Sequence, residues 1–163
     1  MRDLSLAGLL MTATILWGAT FTVVRDAIAV YGVFSFLAVR FLIASIALGI
    51  IGARRLRLRT LLVGGAVGSA LALGFVLQTI GLQYTSPTNS GLITGLVVVL
   101  TPACAFLMYR TRTPRIYIAS VVGAFIGLAL LTGESPDEFR VGDTLTMACA
   151  VAFAVHVVLL GRY

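Results

Sequence analysis

Charge is scarce in this 163-residue chain: 11% of its residues are charged and only 6 are acidic, against 60% that are hydrophobic. A soluble domain of this size has too little interior to hide so much apolar surface. The two cysteines, Cys104 and Cys149, both fall within apolar runs, which argues against a disulfide framework and fits small-residue packing. With one histidine, His156, there is no His/Cys set at metal-ligand spacing, so neither metal nor cofactor is expected. There is also no G-x-x-x-x-G-K-[ST] string to cradle a phosphate and no nucleophile beside a base. The chain therefore offers nothing to an enzyme or an ATP-driven pump.

What the chain does have is long apolar runs, six of them, at 4–24, 33–53, 61–82, 88–109, 116–132 and 144–160. A bilayer core takes about 20 such residues in helical form. Lipid offers no partner to bare backbone groups, so only helices or a closed barrel can span it, and the alternation of a barrel strand is missing. The expected fold class is an all-α membrane protein, a multipass helical bundle. An Ala27-Ile28-Ala29 string after the first run raises a signal peptide as an alternative. That run is longer than the roughly 7 to 15 residues of a typical signal core.

A pI near 10.2 would suggest a nucleic-acid partner in a soluble protein, but here the arginines have another reading. Cationic loops stay on the cytoplasmic side. With the N-terminus inside, that face receives Arg2, the group Arg54, Arg55, Arg57 and Arg59, the group Arg110, Arg112 and Arg115, and Arg162. The other face keeps Arg25 and Arg140 with most of the acid. The expected partner is thus the lipid bilayer of a cell (inner) membrane, with no nucleic acid.

Short connections force neighbouring spans antiparallel. The longer acidic link at 134–143 separates five spans from a sixth, dividing the chain into a five-helix repeat at 1–133, an external linker at 134–143, and the first helix of a second repeat at 144–163. Placing the first span over the sixth sets Met11 against Met147 and Trp17 against Phe153. A repeat with an odd number of spans returns inverted, as in many secondary transporters. Small residues stand four apart in the pairs Gly64 and Gly68, Gly91 and Gly95, and Gly123 and Gly127, a spacing that lets helix backbones approach closely in lipid.

Several strings, in order, carry a resemblance. They are Trp17-Gly18-Ala19-Thr20-Phe21 followed by Arg25, Arg40-Phe41-Leu42-Ile43-Ala44, the stretch from Gln78 to Ser90, Thr101-Pro102, and Gly123-Ala124-Phe125-Ile126-Gly127-Leu128. Together they resemble the EamA-type branch of the drug/metabolite transporter superfamily. The resemblance implies ten spans in two inverted five-helix repeats, a cavity for a small-molecule substrate between the halves, and transport of small metabolites such as amino acids, often outward. It also implies that this chain is either a fragment lacking its second repeat or works with a second copy of itself, and the fragment is favoured because Tyr163 directly follows a span. The family commonly carries a glutamate just after the fourth span, where this chain has Tyr109-Arg110-Thr111-Arg112-Thr113-Pro114.

Six residues are candidates for a substrate cavity, each with a structural alternative. Trp17 lies too deep for an interfacial belt and shares a helix face with Thr14 and Thr20, as a cavity wall or as helix packing. Arg40 is the one charge well inside a span, either an anchor that snorkels or pairs with Asp26, or an attractor of anionic substrate. Asn89 and Thr94 stand near the start of the fourth span, where free N–H groups meet a carboxylate or a cap. His156 is either a proton relay or a hydrogen-bonded structural residue. Pro102 is a hinge candidate in the middle of the fourth span. Gln78 and Thr79 read as interhelix glue. No carboxylate lies deep in any run, so proton coupling, if present, falls to His156 or to a second half. The alternative to a carrier is a non-transporting membrane scaffold or accessory subunit.

Overall fold

The computed structural model describes residues 2–52, 57–110, 115–132 and 141–162. Seven helices occur among the described residues: α1 (Arg2–Tyr31), α2 (Val33–Gly52), α3 (Leu58–Gly81), α4 (Pro87–Gly95), α5 (Val97–Tyr109), α6 (Arg115–Thr132) and α7 (Val141–Leu160). Five helical stretches, at Leu6–Tyr31, Val33–Gly52, Leu58–Gly81, Pro87–Tyr109 and Val141–Leu160, are long and apolar enough to cross a membrane. Large side chains such as Ile50, Ile51, Leu107 and Leu130 stand exposed on the helices. In water such surface drives aggregation, whereas in lipid it is the outer coat. The chain is an all-α multipass membrane protein.

The helices are longer than the apolar runs wherever nothing stops them. The first run ends before Arg25, but no glycine or proline intervenes until Gly32, so α1 carries Arg25 and Asp26 as exposed residues of its last turns. Gly32, at φ 75°, makes the turn into α2, a backbone angle open to glycine at little cost. Likewise α7 starts at Val141, so Val141, Gly142 and Asp143 belong to the helix and not to the acidic link.

The fourth span is two helices. α4 opens with Ser86 as its cap, the hydroxyl accepting from the Asn89 N–H at 3.0 Å, and with Pro87 in the first turn, where its missing N–H is harmless. The break falls at Leu96, whose N–H turns to the Ile93 carbonyl at 3.1 Å while its own carbonyl accepts from Val99 at 2.9 Å and Leu100 at 2.8 Å. This is a tightened i to i+3 turn, not a loop. Pro102 sits further on, inside α5.

α7 is the centre of the bundle, packed most extensively on α3 and then on α5 and α4. His156 meets Val67, a Cβ on Gly74 would strike the Phe153 ring, and Gly142 lies against Gly81. The same number of residues separates Val67 from Gly81 as Gly142 from His156, about 21 Å of helix at about 1.5 Å per residue. The two helices therefore run antiparallel and in contact along most of their length. A second apolar cluster joins α1, α2 and the end of α3 through Phe21, Val24, Ile28, Val33, Leu37 and Leu82.

Candidate functional site

Between α1 and the broken span α4/α5 lies a cleft of about 380 Å³, lined by Thr14, Trp17, Gly18 and Phe21 on one side and Gly91, Thr94, Gly95, Val97 and Val98 on the other. Its walls follow from helical spacing. Residues three or four apart share a face, so Thr14, Trp17 and Gly18 continue into Phe21, while Gly91, Thr94, Gly95 and Val98 form the opposite stripe. Glycine gives the cleft its width. A Cβ on Gly18 or Gly95 would meet open space, and one on Gly91 would only touch the Phe21 ring at 3.9 Å.

Trp17 is half exposed and forms the aromatic wall. Thr94 is buried, and its hydroxyl oxygen accepts from Gln78 Nε2 at 3.0 Å, so that α3 holds the α4 wall in place. The Thr14 hydroxyl is committed to the Leu10 carbonyl at 2.8 Å. No charged side chain lines the cleft among the described residues.

The other candidates stand elsewhere. The Thr20 hydroxyl bonds back to the Trp17 carbonyl at 2.6 Å on an exposed face, outside the cleft. Asn89 is half-buried in the first turn of α4, engaged through its backbone with the Ser86 cap. The Arg40 guanidinium lies over the Phe75 ring at 4.3 Å, a cation–π contact, with Phe75 in turn edge-on to Phe153 at 5.1 Å. Arg40 thus reaches through α3 toward α7 rather than toward Asp26, which is exposed on α1. Nδ1–H of His156 donates to the Val67 carbonyl at 2.9 Å and ties α7 to α3. Of the six, the fold brings Trp17 and Thr94 together.

The glycine pairs divide in the same way. Gly91 and Gly95 border the cleft, whereas a Cβ on Gly64, Gly68, Gly123 or Gly127 would meet nothing within 4 Å among the described residues. Close backbone approach occurs instead at Gly81 and Gly142, where a Cβ on Gly142 would stand 2.6 Å from the Gly81 carbonyl oxygen and 2.7 Å from the Thr85 nitrogen. Residue spacing fixes which positions share a face, but only packing decides which face meets a neighbour.

Sequence reasoning passed over Gly18, Phe21, Val97 and Val98 in the cleft, although Phe21 and Gly18 flank Trp17 at helical spacing. It also placed Asp143 in the external link. That carboxylate is buried at the start of α7 and accepts a hydrogen bond from the buried Thr85 hydroxyl in the turn between α3 and α4. The available signal was Gly142-Asp143 standing immediately before the sixth run.

At the opposite end of α7, the Arg162 guanidinium lies over the Tyr109 ring at 4.3 Å. Arg110 closes α5 there in a left-handed conformation, φ 54°, its N–H bonded to the Phe106 carbonyl at 2.8 Å. Arg110, just after α5, and Arg162, just after α7, thus collect at one end of the bundle.

Residues 4–133 match the EamA-like transporter family. Among curated proteins, an uncharacterized transporter of Archaeoglobus fulgidus is 36% identical over 156 residues, which is 96% of this chain and 48% of that protein. The uncharacterized transporter YyaM of Bacillus subtilis is 28% identical over 176 residues, 100% of this chain and 58% of its own length. The chain spans about half the length of the curated relatives it matches. No solved structure matches it.

Proposed function

Because the chain belongs to the EamA-like transporter family, we propose that it forms the first half of a carrier that exports small metabolites by alternating access, with the cleft between α1 and α4/α5 as one wall of the substrate path. The observation that carries this reading is the cleft itself, in which two aromatics, Trp17 and Phe21, and two threonines, Thr14 and Thr94, line a space opened by glycines of different helices. Ligand sites take this form: concave, mostly apolar, with a few placed polar groups.

The broken fourth span supplies the movement. The tightened turn at Leu96 adjoins the cleft through Gly95 and Val97, and Pro102 denies an N–H to the Val98 carbonyl one turn earlier. The Thr101 hydroxyl bonds to the Val97 carbonyl at 2.6 Å beside it. α4 therefore pivots against α5 with few backbone bonds to break, and Pro102 acts with Leu96 as the hinge. The face of α1 left open, with Leu9, Leu10 and Ile15 exposed, takes a second five-helix unit, whether from the rest of a longer chain or from a second copy. The relatives' greater length supports this arrangement. The arginine-rich end of the bundle lies in the cytoplasm of the inner membrane and holds the N-terminus.

Flux of a labelled metabolite panel in proteoliposomes that hold the chain together with its second five-helix unit tests the reading. Saturable transport that falls at least tenfold on Trp17→Ala is expected. Flux indistinguishable from protein-free liposomes for every compound would overturn it in favour of a scaffold.

A further inference from the structure

Resting on the reading of this cleft as one wall of the substrate path, we propose that the part of the substrate it accepts is uncharged and planar, an aromatic ring system and not an ionised group. Three features of the walls lead there. The first is charge: among the described residues no Asp, Glu, Arg or His lines the cleft, and Arg40 and His156 are both occupied on α3. An ionised group entering this space loses water and gains no counter-charge, a loss that apolar walls do not offset.

The second is shape. Trp17 and Phe21 line one side of the cleft and Gly91 and Gly95 the other, with the Phe21 ring nearest to Gly91. The glycines leave room for a flat ring between these sides, and offset stacking with the aromatic side chains favours an aromatic ring over an aliphatic chain of the same size. A volume of about 380 Å³ is at the small end for ligand sites and holds one or two fused rings.

The third is the polar group. Thr94 accepts from Gln78 Nε2 and its side chain also stands in hydrogen-bond reach of Cys149, so it is engaged with α3 and α7. The Thr14 hydroxyl has already given its proton to the Leu10 carbonyl. The cleft therefore presents hydroxyls that are already engaged with the protein, and matches the apolar face of a ring.

Trp17 is the only tryptophan in the chain, so its fluorescence reports directly on a ring stacked against it. The test uses the full chain in lipid nanodiscs and a nitrophenyl series of constant ring and varied charge: neutral 4-nitrobenzamide, anionic 4-nitrobenzoate, cationic 4-nitrobenzylamine and zwitterionic 4-nitrophenylalanine. Saturable quenching by the amide, with a Kd at least tenfold below that of each charged analogue, is expected. Gly95→Val and Gly18→Val fill the cleft from opposite walls at positions where a side chain meets nothing else. Each is expected to abolish saturation and leave linear, collisional quenching, while helix content by circular dichroism stays unchanged. Linear quenching by all four compounds in the parent chain, an advantage for the amide below tenfold, or saturation surviving in both variants would overturn the proposal. Flux in proteoliposomes that hold both five-helix units separates the two readings. Saturable binding of the amide without flux removes the transport reading and leaves the cleft's preference standing. Flux of the zwitterion that both variants block keeps the transport reading and removes the preference for neutral rings.

Discussion

Two buried hydrogen bonds between helices carry unequal weight at the level of single residues. Thr85 and Asp143 are both buried, and the carboxylate accepts from the hydroxyl where the α3–α4 turn meets α7. Asp143→Ala leaves that hydroxyl buried without its partner, and the expected loss is about 1 to 3 kcal/mol of stability, read as a lowered unfolding midpoint in detergent. Gln78 and Thr94 are joined by a neutral bond of 3.0 Å. A double-mutant cycle of Gln78→Ala with Thr94→Ala is expected to give a coupling of only about 0.6 kcal/mol, because inside a membrane the partners find substitutes. A coupling above about 2 kcal/mol would mean that this bond holds the cleft wall far more firmly than its geometry implies. The type of each of these residues was visible in the sequence, whereas the pairing of Thr85 with Asp143 was not. Positions so far apart meet only when α7 docks on α3.

At the scale of elements, glycine spacing and glycine use come apart. Gly64 and Gly68 are spaced for helix contact, yet a Cβ there would meet open space, while Gly142 lies against backbone atoms of Gly81, Tyr84 and Thr85. Gly64→Ala is therefore expected to leave stability unchanged or raise it by up to about 1 kcal/mol through helix propensity. Gly142→Ala forces α7 away from α3 and is expected to cost about 1 to 3 kcal/mol. Thermal midpoints of the two variants, measured side by side, check the contrast, and equal midpoints would contradict the α3–α7 contact. The ends of the helices teach the same lesson in another form. Hydropathy located the runs, but α1 continues through Arg25 and Asp26 because nothing before Gly32 ends a helix. Backbone chemistry, not the loss of apolar character, sets where a helix stops.

For the whole molecule, orientation is open to direct measurement. Cys104 and Cys149 are both buried, so the chain is a low background for labelling introduced cysteines. Tyr84→Cys, at an exposed position in the α3–α4 turn, is expected to react with a membrane-impermeant maleimide in intact cells. Arg59→Cys, near the start of α3, is expected to react only after the cells are opened. The reverse pattern would invert the proposed topology. The same bundle explains why Trp17 and Thr94 were reachable as candidates while Thr20, Asn89, Arg40 and His156 lie apart from them. Each was chosen for being polar or aromatic inside an apolar run, and that property does not say which helix stands opposite.

The amino-acid sequence by itself determined the solvent of this protein and its all-helical class, because those depend on apolar content and run length alone, whereas of its six runs five are long and apolar enough among the described residues to cross a membrane and the run at 116–132 is not one of them. It also determined the family, since ordered motifs survive without any knowledge of contacts. Only the tertiary structure decided that α7 sits at the centre, that the fourth span bends at Leu96 ahead of Pro102, and that the cleft opens between α1 and α4. Those outcomes depend on which faces meet, and in lipid, where every outward face is equally apolar, the periodicity that marks a buried face in water carries no such information.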